Sequence, residues 1–263
     1  MRIRALLRKE LLDLGRNRAA LVPVLLLTLF SLAIPFFVLV VLPAMTGRSL
    51  EMDRGLDLVS RVVDPNGALP ADLRVAVFLF QQFLILFLLT PITGAMSLAS
   101  HAVVGEKQAR TLEPLLATPI RTLELLVAKV LGALVPALGI SYAGLALYVA
   151  GVWLFEPPSV LQSLLSARTF VLTLVDGPAA ALVALQTAIV ISSRVNDPRT
   201  AQQFGVLIVI PLTIVFVGQL TGSLWLSAAM LMLVGLALLV VWVLLVLFSA
   251  ALFERETILT RWR

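Results

Sequence analysis

Few side chains in this sequence are equipped for chemistry, and they are widely spaced. The chain of 263 residues has one histidine, His101, and no cysteine. Disulfides, thiolate catalysis and cysteine-held zinc or iron–sulfur centres are therefore excluded, as is a multi-histidine metal site within one chain. Asp176 lies inside an apolar run, where an ionisable residue is a functional candidate by default. The chemistry it offers there is contact with a cation or a cargo molecule. Asp176-Gly177-Pro178 reads equally as a helix N-cap followed by an early proline. In that reading the fourth apolar span begins near Gly177 and residues 160–175 form an outer helix. Glu10 falls near the apolar face of a basic segment, where it suits a salt bridge to Lys107 or Arg110, or a snorkelling surface carboxylate. Glu106 suits a structural hydrogen bond to the N-terminal helix better than catalysis. Gln81, Gln82, Gln186 and Gln219 are suited either to line a path or to hydrogen-bond between helices. No G-x-x-x-x-G-K-[ST] phosphate loop occurs, so ATP hydrolysis has no seat on this chain.

The elements around these residues are set by composition. The chain is 60% hydrophobic and 13% charged, against roughly 45–50% and ~25% in soluble domains. The apolar residues come in long blocks, several exceeding the ~20 residues that cross a bilayer core. Backbone satisfaction in lipid leaves helices or closed barrels, and unalternating runs of this length exclude the barrel. The expected fold is all-α and polytopic, a single membrane domain over 1–263. Residues 1–19 read as an interfacial amphipathic helix, with Ile3, Leu7, Leu11 and Leu14 on one face. Six spans follow, at 20–42, 75–100, 125–153, 170–192, 204–220 and 225–253. The sixth is long enough to include an outer half-helix. No cleavable signal peptide is expected, since the first fifteen residues are too charged for its apolar core.

Lysine and arginine set the orientation. Fourteen lie in the N-terminus, the 101–124 loop, the 193–203 loop and the tail, and five lie in the alternate loops. The positive-inside rule puts both termini and the 101–124 loop in the cytoplasm, and the 43–74 loop outside. The net charge of +5 is explained by this flanking and is not a nucleic-acid signal. The 43–74 loop, with its Asp64-Pro65-Asn66-Gly67 turn, is too short for a substantial domain of its own. Gly218 and Gly222 match the small-xxx-small packing pattern at a span end.

The 101–124 loop carries bare leucines. Thr111 caps a short helix over Leu112-Glu113-Pro114-Leu115-Leu116-Ala117, with Pro114 in the first turn where its missing N–H costs little. Thr118-Pro119 ends it, because the residue before proline avoids the α region. The result is a two-turn helix between two membrane helices. It suits either a docking handle for a soluble partner or a reversal whose leucines touch lipid headgroups.

These residues carry a family resemblance. Glu106-Lys107-x-x-Arg110-Thr111-Leu112-Glu113-x-Leu115-Leu116-Ala117-Thr118-Pro119, followed by Glu124-Leu125 and Lys129, resembles the signature of ABC-2 type transporter permeases. Arg8-Lys9-Glu10-Leu11, the Ser192-Ser193-Arg194-Val195 loop with Pro198-Arg199, and Phe253-Glu254-Arg255-Glu256 in the tail resemble the same family in the same order. Ala128 departs from it, where glycine often precedes the lysine. The resemblance implies six spans preceded by an elbow helix, with Arg110–Pro119 forming a cytoplasmic coupling helix. It further implies a dimer with a second permease, a cytoplasmic ABC ATPase in two copies, and ATP and magnesium on that partner with no cofactor on this chain. The expected location is the plasma membrane. The expected function is a permease subunit, exporting its cargo and doing no chemistry itself. An ion-gradient-driven secondary transporter, a transport-inactive scaffold or sensor, and an intramembrane enzyme are the rivals. Asp176 alone favours the first of these, and one histidine with no cysteine speaks against the last.

Overall fold

The computed structural model describes residues 12, 18–47, 54–64, 69–108, 122–194, 200, 203 and 206–252. Among them every regular element is helical. Helix α1 runs over Arg18–Thr46, α2 over Arg54–Ser60, α3 over Ala71–Phe87, α4 over Leu89–Gln108 and α5 over Thr122–Phe155. Two short helices follow, α6 at Pro158–Leu164 and α7 at Ala167–Val171. The chain then passes through a π-helical turn, Leu172–Asp176, into α8 at Gly177–Arg194. The last two helices are α9 at Val206–Leu220 and α10 at Ala228–Leu252. Among the described residues five segments are long and apolar enough to cross a membrane: Arg18–Thr46, Ala71–His101, Val127–Phe155, Ala167–Ser192 and Ala228–Ser249. Helix α9 is apolar but shorter. The polypeptide is a multi-pass membrane protein.

The α3–α4 unit is the centre of the bundle. Phe78, Phe80, Leu84, Ile85, Ile92 and Leu98 are all buried on it. It bends at Leu88, whose N–H reaches back only three residues to Ile85. The cause is Pro91, which has no N–H and whose ring crowds the carbonyl of Phe87. Helix α1 runs antiparallel to this unit, since Ala20 meets Ser97 and Phe36 meets Phe80. Helix α5 also runs antiparallel to it. A Cβ on Gly94 would lie 3.2 Å from Ala137, and one on Gly144 would lie 2.9 Å from Phe87. With no aqueous driving force inside a bilayer, such small residues let backbones approach, and polar side chains tie them. The Ser97 hydroxyl donates to the Ala20 carbonyl at 3.1 Å, and the Tyr148 hydroxyl donates to Phe80 at 2.8 Å.

Among the described residues two π-helical turns occur, Phe37–Val41 in α1 and Leu172–Asp176 before α8. In each the next N–H reaches five residues back, Leu42 to Phe37 and Gly177 to Leu172. In each a proline comes immediately afterwards, Pro43 and Pro178. A proline in an ordinary helix collides with the carbonyl four residues earlier. Widening the preceding turn by one residue opens that contact. It also leaves the Thr173 carbonyl without its donor, and the Tyr142 hydroxyl supplies one from α5 at 3.3 Å.

Three expectations require correction. Asp176 is no N-cap. Helical backbone precedes and follows it, Gly177 is itself helical (φ −57°, ψ −58°), and the carboxylate holds no capping hydrogen bond. The proline that suggested a helix start is accommodated by the π turn. The anticipated outer half-helix of the last span is also missing, since residues 224–227 have no regular structure and α10 begins at Ala228. The short helices, α6 and α7, precede α8. Finally, Gly218 and Gly222 do not form a helix-packing pair. Gly222 takes a left-handed φ of 71° and ends α9, while Leu224 N–H closes on the Gly218 carbonyl at 2.9 Å.

Candidate functional site

The coupling segment Arg110–Pro119 and Glu10 lie outside the described residues. Glu106 and Lys107 occupy the last turn of α4, just ahead of that segment in the sequence. His101, one turn before them, is half-buried, and its Nδ1 lies 2.9 Å from the Ser97 carbonyl. Among the described residues no three His, Asp or Glu side chains cluster to hold a metal.

At the opposite end of the bundle, Arg168 gathers Gln81 and Gln219, two of the four glutamines singled out from the sequence. Its side chain is buried. Nη1 donates to Oε1 of Gln81 on α3 at 2.9 Å, and Nη2 donates to Oε1 of Gln219 at the end of α9. Nε donates to the Leu226 carbonyl at 3.1 Å. The guanidinium lies 4.1 Å from the centre of the Trp225 ring, which stacks on Phe78. Gln81 then donates from Nε2 to the Ser163 carbonyl in α6. One planar cation thus clasps α3, α7, α9 and the α9–α10 turn. Hydrogen bonds to a charged group contribute about 1.5–3 kcal/mol each, and a desolvated cation–π contact about 2 kcal/mol. All three acceptors are neutral. The clasp needs the fork of an arginine, since a lysine presents a point charge instead.

Arg168 entered the sequence reading only as one of five basic residues in the alternate loops. The signal that marks it is Gln81 and Gln219 together. These are amides at matching depth on two apolar helices, and each needs a partner that neither helix supplies. Of the other two amides, Gln186 donates to Ser249 on α10, joining α8 to α10. Gln82 is fully buried with neither amide atom partnered among the described residues.

Asp176 lies at the other extreme. It is 3% exposed, and neither carboxylate oxygen has a hydrogen-bond partner among the described residues. Its Oδ1 rests against α10 at Gly235, where an added Cβ would come within 2.7 Å of it. Gly177 beside it packs near Leu88, at the bend in the middle of the α3–α4 unit. Three residues earlier, Thr173 meets Tyr142, midway along α5. The carboxylate is therefore near the centre of the bundle. A small cavity lined by Leu84, Leu88, Pro91, Ser141, Tyr142 and Thr173 opens on the α3/α5 side of the same π turn.

Outside the apolar segments, Glu156 follows the end of α5. Its carboxyl is pushed above the usual carboxylate range, first by burial and then by the nearby Asp72.

Compared with known families, the sequence matches the model of the ABC-2 family transporter proteins over residues 4–254. No curated protein matches the chain.

Proposed function

The chain belongs to the ABC-2 family of transporter proteins, and from that premise we propose that it forms the translocation path of an ATP-driven exporter. Members of this family are membrane subunits that work with a separate ATPase. In this reading two permease copies, or this chain and a similar one, pair in the plasma membrane. Two copies of a cytoplasmic ABC ATPase bind ATP and magnesium below them. Both permease termini and the 101–124 loop face the cytoplasm, which follows from the excess of lysine and arginine there. Residues Arg110–Pro119 form the coupling helix, and Glu10, Glu106 and Lys107 form a charge network beside it.

The observation that carries this reading is the family match across nearly the whole chain. The geometry supports it in one respect. Helix α4 carries Glu106 and Lys107 as the direct continuation of the most buried unit of the bundle. A push on the 109–121 segment therefore reaches Leu98, Ile92 and Leu84 through one helical unit with a single bend. That is the connection a coupling element needs.

The test is a charge placed in the docking face. Leu112, Leu115 and Leu116 fall at i, i+3 and i+4, so in a helix they enter one groove together. Burying one leucine in a partner is worth roughly 1.5–3 kcal/mol, and a carboxylate in its place adds a desolvation cost. Leu115→Asp should leave membrane insertion intact and abolish ATPase binding or uncouple hydrolysis from transport. Glu113→Gln should have little effect. An ATPase reaches only a cytoplasmic loop, so the same measurement tests the orientation. Normal ATPase binding and normal coupled transport in Leu115→Asp would remove the docking reading.

A further inference from the structure

Asp176 is the ionisable group the permease reading leaves unused. Four features meet there. Its carboxylate is buried, and among the described residues neither oxygen accepts a hydrogen bond. It lies near the centre of the bundle, level with the bend at Leu88. It ends a π-helical turn, an irregularity that is frequent at functional sites. And it faces Gly235, the one position on α10 where a side chain is missing in front of it.

An ion left bare in an apolar interior is costly, so a buried charge is paired, coordinated or neutralised. The elements packed around Asp176 hold no counter-ion at its level. Helix α10 has no ionisable residue, and α8 has only Arg194 at its far end. The ionisable residues of α3 and α4 are Asp72, Arg74, His101, Glu106 and Lys107, all near the ends of that unit. On α7, Arg168 is committed to Gln81, Gln219 and Leu226. Helix α5 carries Glu124, Lys129, Tyr142 and Tyr148, of which Tyr142 lies beside the π turn and donates its hydroxyl to the Thr173 carbonyl.

We propose that Asp176, in the seam between the π turn and α10 at Gly235, is the binding site of a small monovalent cation. The seam is closed around the carboxylate, which restricts the occupant to an alkali ion or a proton and excludes an organic cation. In either case the bound charge replaces the missing counter-ion. The site rests on the chain being a membrane-spanning permease and is independent of how the ATPase docks.

The experiment measures thermal unfolding of the purified full chain in lipid nanodiscs, with neither ATPase nor cargo present. Sodium, lithium and potassium chloride are each exchanged for choline chloride at constant ionic strength and fixed pH. A second arm varies pH in choline chloride alone. Wild type is compared with Asp176→Asn, which keeps the shape, and Gly235→Ala, which keeps the carboxylate but crowds it. A saturating ligand should raise the unfolding midpoint of the wild type by about 5 °C. Asp176→Asn should show no such rise, and Gly235→Ala should need more ligand for it. A rise with one of the alkali ions identifies that ion as the occupant. A dependence on pH alone that disappears in Asp176→Asn identifies the proton. Identical ion and pH responses in wild type and Asp176→Asn would overturn the proposal. Such a failure leaves the docking of the ATPase untouched, because the readout does not involve it.

Discussion

Arg168 and Asp176 lie eight positions apart on one continuous helical stretch, and both are buried. Each of the arginine's three nitrogens donates one hydrogen bond, two to amides and one to a backbone carbonyl, and an indole face lies against the group. The aspartate has no hydrogen-bond partner at either oxygen among the described residues. The surrounding apolar packing is similar, so the difference lies in what the neighbouring helices contribute. Helices α3 and α9 offer glutamines to Arg168, whereas α10 offers a glycine to Asp176. A buried charge that is bonded on several sides holds helices together. One that is left bare is a liability to the fold unless something else binds it. Burial alone would have ranked the two as equivalent.

The comparison breaks most visibly at Arg168. Arg168→Leu leaves the Gln81 and Gln219 carbonyl oxygens without their donor, and it should destabilise the chain by about 2–4 kcal/mol. Arg168→Lys should recover only part of that loss. Equilibrium unfolding in detergent measures both, and an Arg168→Leu chain as stable as wild type would deny the clasp its role. Next in size is Gly235→Ala, whose Cβ would lie 2.7 Å from both Asp176 Oδ1 and Val175 Cγ1. Overpacking of this kind costs about 1–3 kcal/mol. If the alanine is accommodated at no cost, Asp176 does not press on α10 as described.

Glu156 sharpens the contrast at the weak end, because it is a carboxylate only half-buried. Its pKa is raised in the folded chain, so its charged form is disfavoured there. Its stabilising share is present below the unfolded pKa of ~4.3 and is lost as pH rises through the higher folded value. Glu156→Gln should therefore flatten a small decline in stability with rising pH and change nothing in acid. Solvent screening keeps the effect the smallest of the three. A Glu156→Gln chain whose stability falls with pH as steeply as wild type would show that another group carries the slope.

What was legible in the sequence was whatever depends on continuous stretches. The apolar runs at 75–100 and 125–153 lie within α3–α4 and α5, because a helix in lipid is specified by length and hydropathy. The family resemblance was carried by contiguous motifs, and the family match extends over residues 4–254. What was not legible depends on contacts across the bundle. Asp176-Gly177-Pro178 has the local spelling of a helix start, but Tyr142 on another helix supplies the hydrogen bond that lets the helix run on. Gly218 and Gly222 have the spacing of a packing motif, yet the second is used for its left-handed backbone. Arg168 lies in a loop by composition and is drawn inward by two amides more than fifty residues away on either side.

The π turn at Leu172–Asp176 also acts as an angular offset. Each residue of an α-helix advances the chain by about 100°, so the one extra residue in the widened turn rotates everything before it relative to everything after it. The side of the helix that presents Arg168 to α3 and α9 is therefore not the one an unbroken helix would have turned towards them. Removing a single residue between 172 and 176 would restore regular geometry and swing the guanidinium away from Gln81 and Gln219, with each of those side chains left intact. The clasp is thus encoded in the count of residues as much as in their identity.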